Sequence, residues 1–297
     1  MANKLEGLCV ITITPFTESG SLDEESLHNL IDFYIERGVH GLTILGIMGE
    51  AHKMIETERQ KVLDIVMERS AGKVPVVVGC TANSTAVAID FAKKAEEAGA
   101  TAIMVAPPQN VKSETLLMQH YKDIAESISI PIVLQDEPVT TGVILTPEFI
   151  AKLANTISAI QYVKLEEAPT PIKITKILEK TERLEIFGGL GGGSFYEEMT
   201  RGASGIMTGF AFPEILVKVY DLFTSGKKEE ARAYFYKHLP LIRFEFQLGI
   251  GGVAIRKETF KLRGAIASSH VRAPSAPLDL KTMDEFKELI DYLDVPL

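Results

Sequence analysis

Lys164 closes the run Ala159-Ile160-Gln161-Tyr162-Val163-Lys164, apolar enough for a buried strand that carries an amine at its C-terminal end. Burying an ammonium is costly, so burial favours the neutral form. A neutral lysine is a nucleophile that condenses with a carbonyl to an imine. The same pattern also fits a strand-terminal lysine whose charged head reaches solvent along its own stem. Other residues able to do chemistry recur at the ends of similar runs. Gly46-Ile47-Met48-Gly49-Glu50 sets two residues between glycines, where their N–H groups can converge on an anion, although tight turns use glycine for the same reason. Gln135-Asp136-Glu137-Pro138, Leu165-Glu166-Glu167 and the glycine-rich stretch Gly188–Gly193 complete the set.

The elements that must position these residues alternate. Strands are predicted at Leu8–Thr14, Gly41–Leu45, Val74–Gly79, Thr101–Ala106, Ile130–Leu134, Ala159–Lys164, Leu184–Phe187 and Gly205–Thr208. Helices are predicted at about Asp23–Arg37, Glu56–Arg69, Ser84–Ala98, Ser113–Ser127, Pro147–Asn155, Pro171–Lys180, Ser194–Arg201 and Pro213–Ser225. Strand–helix alternation implies parallel strands with helical crossovers. Eight such units predict an α/β fold, a (β/α)8 TIM barrel over 1–225. The remainder, 226–297, reads as a C-terminal helical region packed on the barrel, with amphipathic Lys228–Phe246 and Val253–Leu262, a Pro/Ser-rich link at Ala273–Pro277 and a last helix at Thr282–Leu293. An oligomer contact is the other use such a tail serves. In a barrel of this kind the loops after the strands carry the chemistry, and all the residues above lie there.

The chain has 297 residues, 46% hydrophobic and 24% charged, as in a soluble globular protein. A net charge of -9 argues against nucleic acid, whose phosphates select basic surfaces. No stretch approaches the apolar length of a membrane span. Met1–Gly7 lacks the long apolar run of a secretory leader. Cys9 and Cys80 both fall in strand-like runs and read as reduced core thiols, which fits a cytoplasmic protein. The six histidines show no HxH or HExxH spacing, so no metal is expected, and no Walker or dinucleotide fingerprint calls for a cofactor. His52, just past the glycine-flanked loop, reads as a surface histidine or one facing the cleft.

Taken in order, these segments resemble the pyruvate-dependent class I aldolases typified by dihydrodipicolinate synthase and N-acetylneuraminate lyase. The resemblance runs through Ile13-Thr14-Pro15-Phe16, Gly46–Glu50, Val105-Ala106-Pro107-Pro108, Pro138 with Thr141-Gly142, the lysine strand, Arg201-Gly202-Ala203-Ser204-Gly205, Arg263-Gly264 and Val271-Arg272-Ala273-Pro274. It implies that Lys164 is the Schiff-base lysine for pyruvate or a longer 2-oxo acid, with the protonated imine as electron sink. It implies that Gly46, Ile47, Met48 and Gly49 hold the substrate carboxylate, that backbone groups of Met48 and Met207 contact the 2-oxo acid, and that the protein is a homo-oligomer, tetramer or dimer.

The chain departs from that family in ways that bear on mechanism. The hydroxyl pair usual in the glycine-flanked loop is Ile47 and Met48, which leaves only backbone donors. The tyrosine usual after strand five is Gln135, which cannot titrate. The tyrosine after strand four is missing, with Pro108 and Gln109 in that stretch, and the arginine two residues past the proline is Thr140. A true dihydrodipicolinate synthase, which must hold a second carboxylate, is therefore not expected. General acid/base work falls to a carboxylate: Glu50, Asp136, Glu137, Glu166 or Glu167. Strand alternation sets Glu166 on the side of Lys164 if the strand continues, which makes it the first choice and Glu137 the second, with Glu50 a candidate for fixing its loop. The glycines around Gly189 read as room for the distal end of a bulky or phosphorylated substrate, or as a lid or close packing. The expected activity is a Schiff-base lyase or aldolase. The alternatives are a 2-oxo-3-deoxy sugar acid dehydratase using the same imine and a catalytically silent 2-oxo acid binding barrel.

Overall fold

The computed structural model describes residues 4–247, 252–275 and 278–297. The start of the amino-terminal reading at 1–3 and the end of the Ala273–Pro277 link lie outside the described residues. Eight parallel strands close into a barrel in sequence order: β1 (Gly7–Ile11), β2 (Gly41–Ile44), β3 (Val76–Gly79), β4 (Ala102–Val105), β5 (Ile132–Asp136), β6 (Ile160–Leu165), β7 (Glu185–Gly188) and β8 (Gly205–Ile206). The crossover helices are α1 (Glu24–Glu36), α2 (Glu56–Ser70), α3 (Thr85–Glu97), α4 (Glu114–Ser127), α6 (Pro147–Thr156), α7 (Thr170–Leu178), α8 (Phe195–Thr200) and α9 (Pro213–Thr224). A short α5 (Pro138–Thr141) precedes α6. The tail forms α10 (Lys228–Gln247), α11 (Gly252–Leu262) and α12 (Leu280–Leu293). Among the described residues no helix is long and apolar enough to cross a membrane.

Strand alternation divides the apolar residues between two cores. Leu8, Val10, Val76, Val78, Val163 and Leu165 face the helices. Cys9, Ile11, Val77, Met104, Val133, Tyr162, Phe187 and Met207 fill the barrel interior. The two cysteines are thus far apart in role, one inside the barrel and one among the helices, and burial pushes both thiols up to about 12.

β6 does not alternate perfectly. Ile132 pairs with Ile160 but Val133 pairs with Tyr162, so the register slips by one residue at Gln161. Ile160 packs toward the helices and Tyr162 into the barrel. Two residues apart, they would share a face on an unbroken strand. The slip turns Tyr162, and with it Lys164, inward; bulges commonly re-aim side chains in this way.

Candidate active site

Lys164 stands one layer above Tyr162, beside Gln135 of β5 and Phe187 of β7. It is only 5% exposed. Its Nζ lies 2.9 Å from Glu166 Oε2, and Gln135 Nε2 donates to that same oxygen at 2.8 Å. The backbone explains the approach of Glu166. Its N–H donates to the Asp136 carbonyl at 2.9 Å, so ladder bonding runs one residue past the end of β6 and keeps the alternation. Gly189 does the rest. A Cβ there would run into Glu166 Cγ and crowd the Leu165 carbonyl, so the missing side chain is what admits Glu166. Of the sequence readings for this glycine stretch (room for substrate, a lid, close packing), the contact seen at Gly189 is close packing against the Glu166 side chain.

Lys164 and Glu166 face a cavity whose floor is Ile11, Met104 and Met207. A second lobe shares Gly46, Ile47, Met104, Gln135, Glu137 and Thr140 with the first. Its far wall is more polar, with Thr81, Asn83, Gln109 and the exposed His52. The cleft opens at the C-terminal ends of the strands, as the fold requires.

The Gly46–Gly49 loop forms one wall. Leu45 (φ 56°) and Glu50 (φ 56°) flank it in left-handed conformations that side chains rarely adopt. Within the loop, the N–H groups of Gly49 and Glu50 are spent on the carbonyls of Gly46 and Ile47. Those of Ile47 and Met48 take no part in these bonds. Glu50 itself is fully buried, and its carboxylate takes Lys257 Nζ at 2.6 Å, Lys53 Nζ at 3.1 Å and the Arg272 N–H at 3.0 Å. It holds the loop and does not face the cleft.

The other carboxylates separate. Asp136 is turned away, as its position next to inward Gln135 dictates. It is completely buried behind the sheet, 2.6 Å from Lys173, and burial raises it to about 6 against the pull of that lysine. Glu167 also pairs with Lys173. Neither belongs to the cleft, which removes both from the acid/base candidates. Glu137 lines the cleft but caps α5, accepting the Thr140 N–H at 2.9 Å, with Pro138 at the first helical position. Met48 and Met207 both line the cleft; the Met207 N–H is committed to the Gly188 carbonyl at 2.9 Å, leaving its carbonyl and thioether.

Arg256 and Glu245 escaped the sequence reading. Arg256 of α11 lines the cleft while 4% exposed, and its Nε donates to Glu245 of α10 at 3.0 Å. Glu245 is fully buried and also accepts the Ala211 N–H at 3.2 Å; burial lifts it to about 7 although Arg256 opposes this. Phe246, next in the chain, packs over Gly191 at the cleft rim. Nothing in a helical tail's periodicity marks such residues, because the contact between Arg256 and Met48 spans 208 positions.

Comparison with known proteins bears on the family and the fold. The sequence model of the Dihydrodipicolinate synthetase family matches residues 4–293. The 4-hydroxy-tetrahydrodipicolinate synthase of Methanopyrus kandleri is 34% identical over 255 residues, 83% of each chain. The L-2-keto-3-deoxyarabonate dehydratase of Azospirillum brasilense is 29% identical, over 97% of this chain and 94% of its own. A crystal structure of dihydrodipicolinate synthase from Rhodopseudomonas palustris superposes with a TM-score of 0.92 at 35% identity, covering 98% of both chains. With a barrel of the same build and a family match over nearly its whole length, the chain belongs to the dihydrodipicolinate synthetase family of lyases and aldolases.

Proposed function

We propose that the chain is a Schiff-base lyase acting on pyruvate or a longer 2-oxo acid. The observation that carries this is the Lys164 amine, 5% exposed on the wall of the cleft and paired with Glu166, whose carboxylate Gln135 also engages. Glu166 accepts the proton that Lys164 must lose to become a nucleophile. The free amine adds to the C2 ketone, water leaves, and the imine nitrogen is protonated. The N–H groups of Ile47 and Met48 receive the substrate carboxylate. Glu166, held next to the nitrogen, lies close to C3, one bond beyond the imine carbon. It takes a C3 proton to give the enamine, with the iminium as electron sink. Gln135 cannot titrate; it fixes the carboxylate of Glu166 and orients it. Thr140, where the synthases carry a carboxylate-binding arginine, speaks against aspartate semialdehyde as partner. The same reading takes the protein as a cytoplasmic homo-oligomer, dimer or tetramer, whose mass in solution light scattering measures.

Borohydride reduction in the presence of pyruvate tests the reading. The hydride reduces the imine to a stable secondary amine, so the peptide containing Lys164 gains mass, and Lys164→Ala abolishes the label. A wild-type chain that takes up no pyruvate, or takes it up elsewhere, overturns the assignment.

A second reading draws on the position of Glu166. Aldehyde release needs a base at the C4 hydroxyl, whereas loss of that hydroxyl as water needs a base at C3, where Glu166 stands. The polar second lobe offers Thr81, Asn83 and Gln109 to a hydroxylated chain, and one relative is named as a 2-keto-3-deoxy acid dehydratase. Product analysis on 2-oxo-3-deoxy acids separates the two: free pyruvate plus an aldehyde for the aldolase, a dehydrated 2-oxo acid of unchanged carbon count for the dehydratase.

A further inference from the structure

We infer that Arg256, reaching into the cleft from the tail, is the charged partner of the 2-oxo acid's own carboxylate. The inference rests on the Schiff-base reading above and names the residue that takes over from the hydroxyl pair replaced by Ile47 and Met48.

A guanidinium presents five N–H donors in a rigid fork matched to carboxylates. That of Arg256 is buried, and burying such a charge is costly unless its donors are met. Glu245 meets one edge, at Nε. The opposite edge, at Nη1, meets the thioether of Met48 at 3.5 Å, and a thioether is a weak acceptor. This edge therefore stands beside the loop whose Ile47 and Met48 N–H groups are left out of the turn's own hydrogen bonds. A glycine keeps space beside it: a Cβ on Gly252 would sit 2.9 Å from Nη1.

Charge points the same way. Lys164 and Arg256 are the two cations among the described residues lining this lobe, and Lys164 is consumed by the imine. Glu137 and Glu166 are anions there, and the floor and the loop side chains are apolar. A 2-oxo acid enters as an anion with its carboxylate fixed one bond from the carbon that Lys164 attacks. Arg59 lines the second lobe, but its guanidinium is engaged by the Ala51 and Gly79 carbonyls; Arg256 stands to receive the carboxylate from the β1, β2 and β8 side of the barrel, opposite Lys164. The plainer role, a buried ion pair tying α11 to α10, accounts for the Nε edge alone.

The test is borohydride trapping of Lys164 as a function of ligand concentration, with pyruvate and its neutral isostere pyruvamide. The wild type is expected to half-saturate at much lower pyruvate than pyruvamide. In the paired variant Glu245→Gln/Arg256→Gln, which removes both buried charges together, half-saturating pyruvate rises at least about tenfold while pyruvamide is little changed. Arg256→Lys retains part of the preference, since it keeps the charge and loses the fork. Thermal unfolding confirms that the variants fold. A wild type that traps both ligands alike overturns the inference without using any variant, and so does a folded paired variant that keeps the preference. If the wild type traps neither ligand on Lys164, the Schiff-base reading fails and this one with it; if trapping is intact and the charge preference absent, this one alone fails.

Discussion

At the scale of single residues, the proposed chemistry turns on two hydrogen bonds to one oxygen. Glu166 Oε2 takes the Lys164 amine at 2.9 Å and the Gln135 amide at 2.8 Å. The amide can donate but not titrate, so the proposed reading assigns proton transfer beside the amine to the carboxylate. Glu166→Gln keeps the size and a polar contact and removes the base. We expect turnover to fall by about 10² to 10⁴, the usual worth of a positioned general base, while pyruvate is still trapped on Lys164 at long incubation. Stopped assays of turnover alongside borohydride trapping measure both, and unchanged turnover would remove Glu166 from the mechanism. That Glu166 shares a side with Lys164 was legible in the sequence, because alternation over two residues needs no tertiary information; that this side is the barrel interior depends on the slip at Gln161. The same rule, applied on β5, sets Asp136 opposite to Gln135. Arg256 was not legible, since its place follows from how a tail helix packs over the barrel mouth.

At the scale of elements, the fit between β7 and α8 buries a carboxyl at a measurable cost. Glu198 of α8 reaches behind β7 into space that only Gly188 leaves open; a Cβ there would collide with the carboxyl group. Thr170 donates to Oε1, and Oε2 has no partner among the described residues. Burial lifts this carboxyl from its ordinary 4.5 to about 7. The unfolded chain therefore loses the proton first. As pH rises from about 4.5 to 7 the native state holds a proton that the unfolded state has released, and stability falls across that window. Above it the buried charge remains as a cost. Glu198→Gln should be more stable than wild type at pH 8 by about 1–2 kcal/mol, less than the full shift because the new amide needs an acceptor of its own. The advantage should shrink on acidification toward pH 5. Urea unfolding at the two pH values measures this, and a variant less stable at pH 8 would refute it. Periodicity and turn residues located all eight strands and their crossover helices, because apolar patterning is a local signal. They missed the short helix at Pro138–Thr141, where proline reads as a loop, and the slip at Gln161. That slip comes from pairing between neighbouring strands, so no single stretch of sequence records it.

At the scale of the whole molecule, the tail is fastened to the barrel mouth by charge as well as by apolar packing. Arg263 of the tail bonds Glu214 at 2.6 Å, and Arg272 pairs with Glu58. The deepest tie is Lys257 of α11 to Glu50 at 2.6 Å, both ends essentially inaccessible to solvent. Burial brings Lys257 down to about 8 even though Glu50 favours its charge. One end of this tie fixes the left-handed residue that closes the Gly46–Gly49 loop, and the other is the immediate neighbour of Arg256. The tie therefore couples tail placement to the carboxylate wall of the cleft. Removing one partner leaves the other charged and buried, which typically costs about 3–5 kcal/mol. Glu50→Gln and Lys257→Met are each expected to destabilise on that scale, and the double variant by clearly less than their sum, since no unpaired charge remains between them. Lys53 and the Arg272 N–H, which also bond Glu50, keep an acceptor in the glutamine oxygen. Denaturant unfolding of the four proteins gives the coupling energy. Trapping of pyruvate on Lys164 should weaken in each folded variant, through half-saturation and not through maximal labelling, because the loop and Arg256 move while the amine does not. Strictly additive losses, or a fall in maximal labelling instead, would mean that the tail is joined to the barrel without bearing on the cleft.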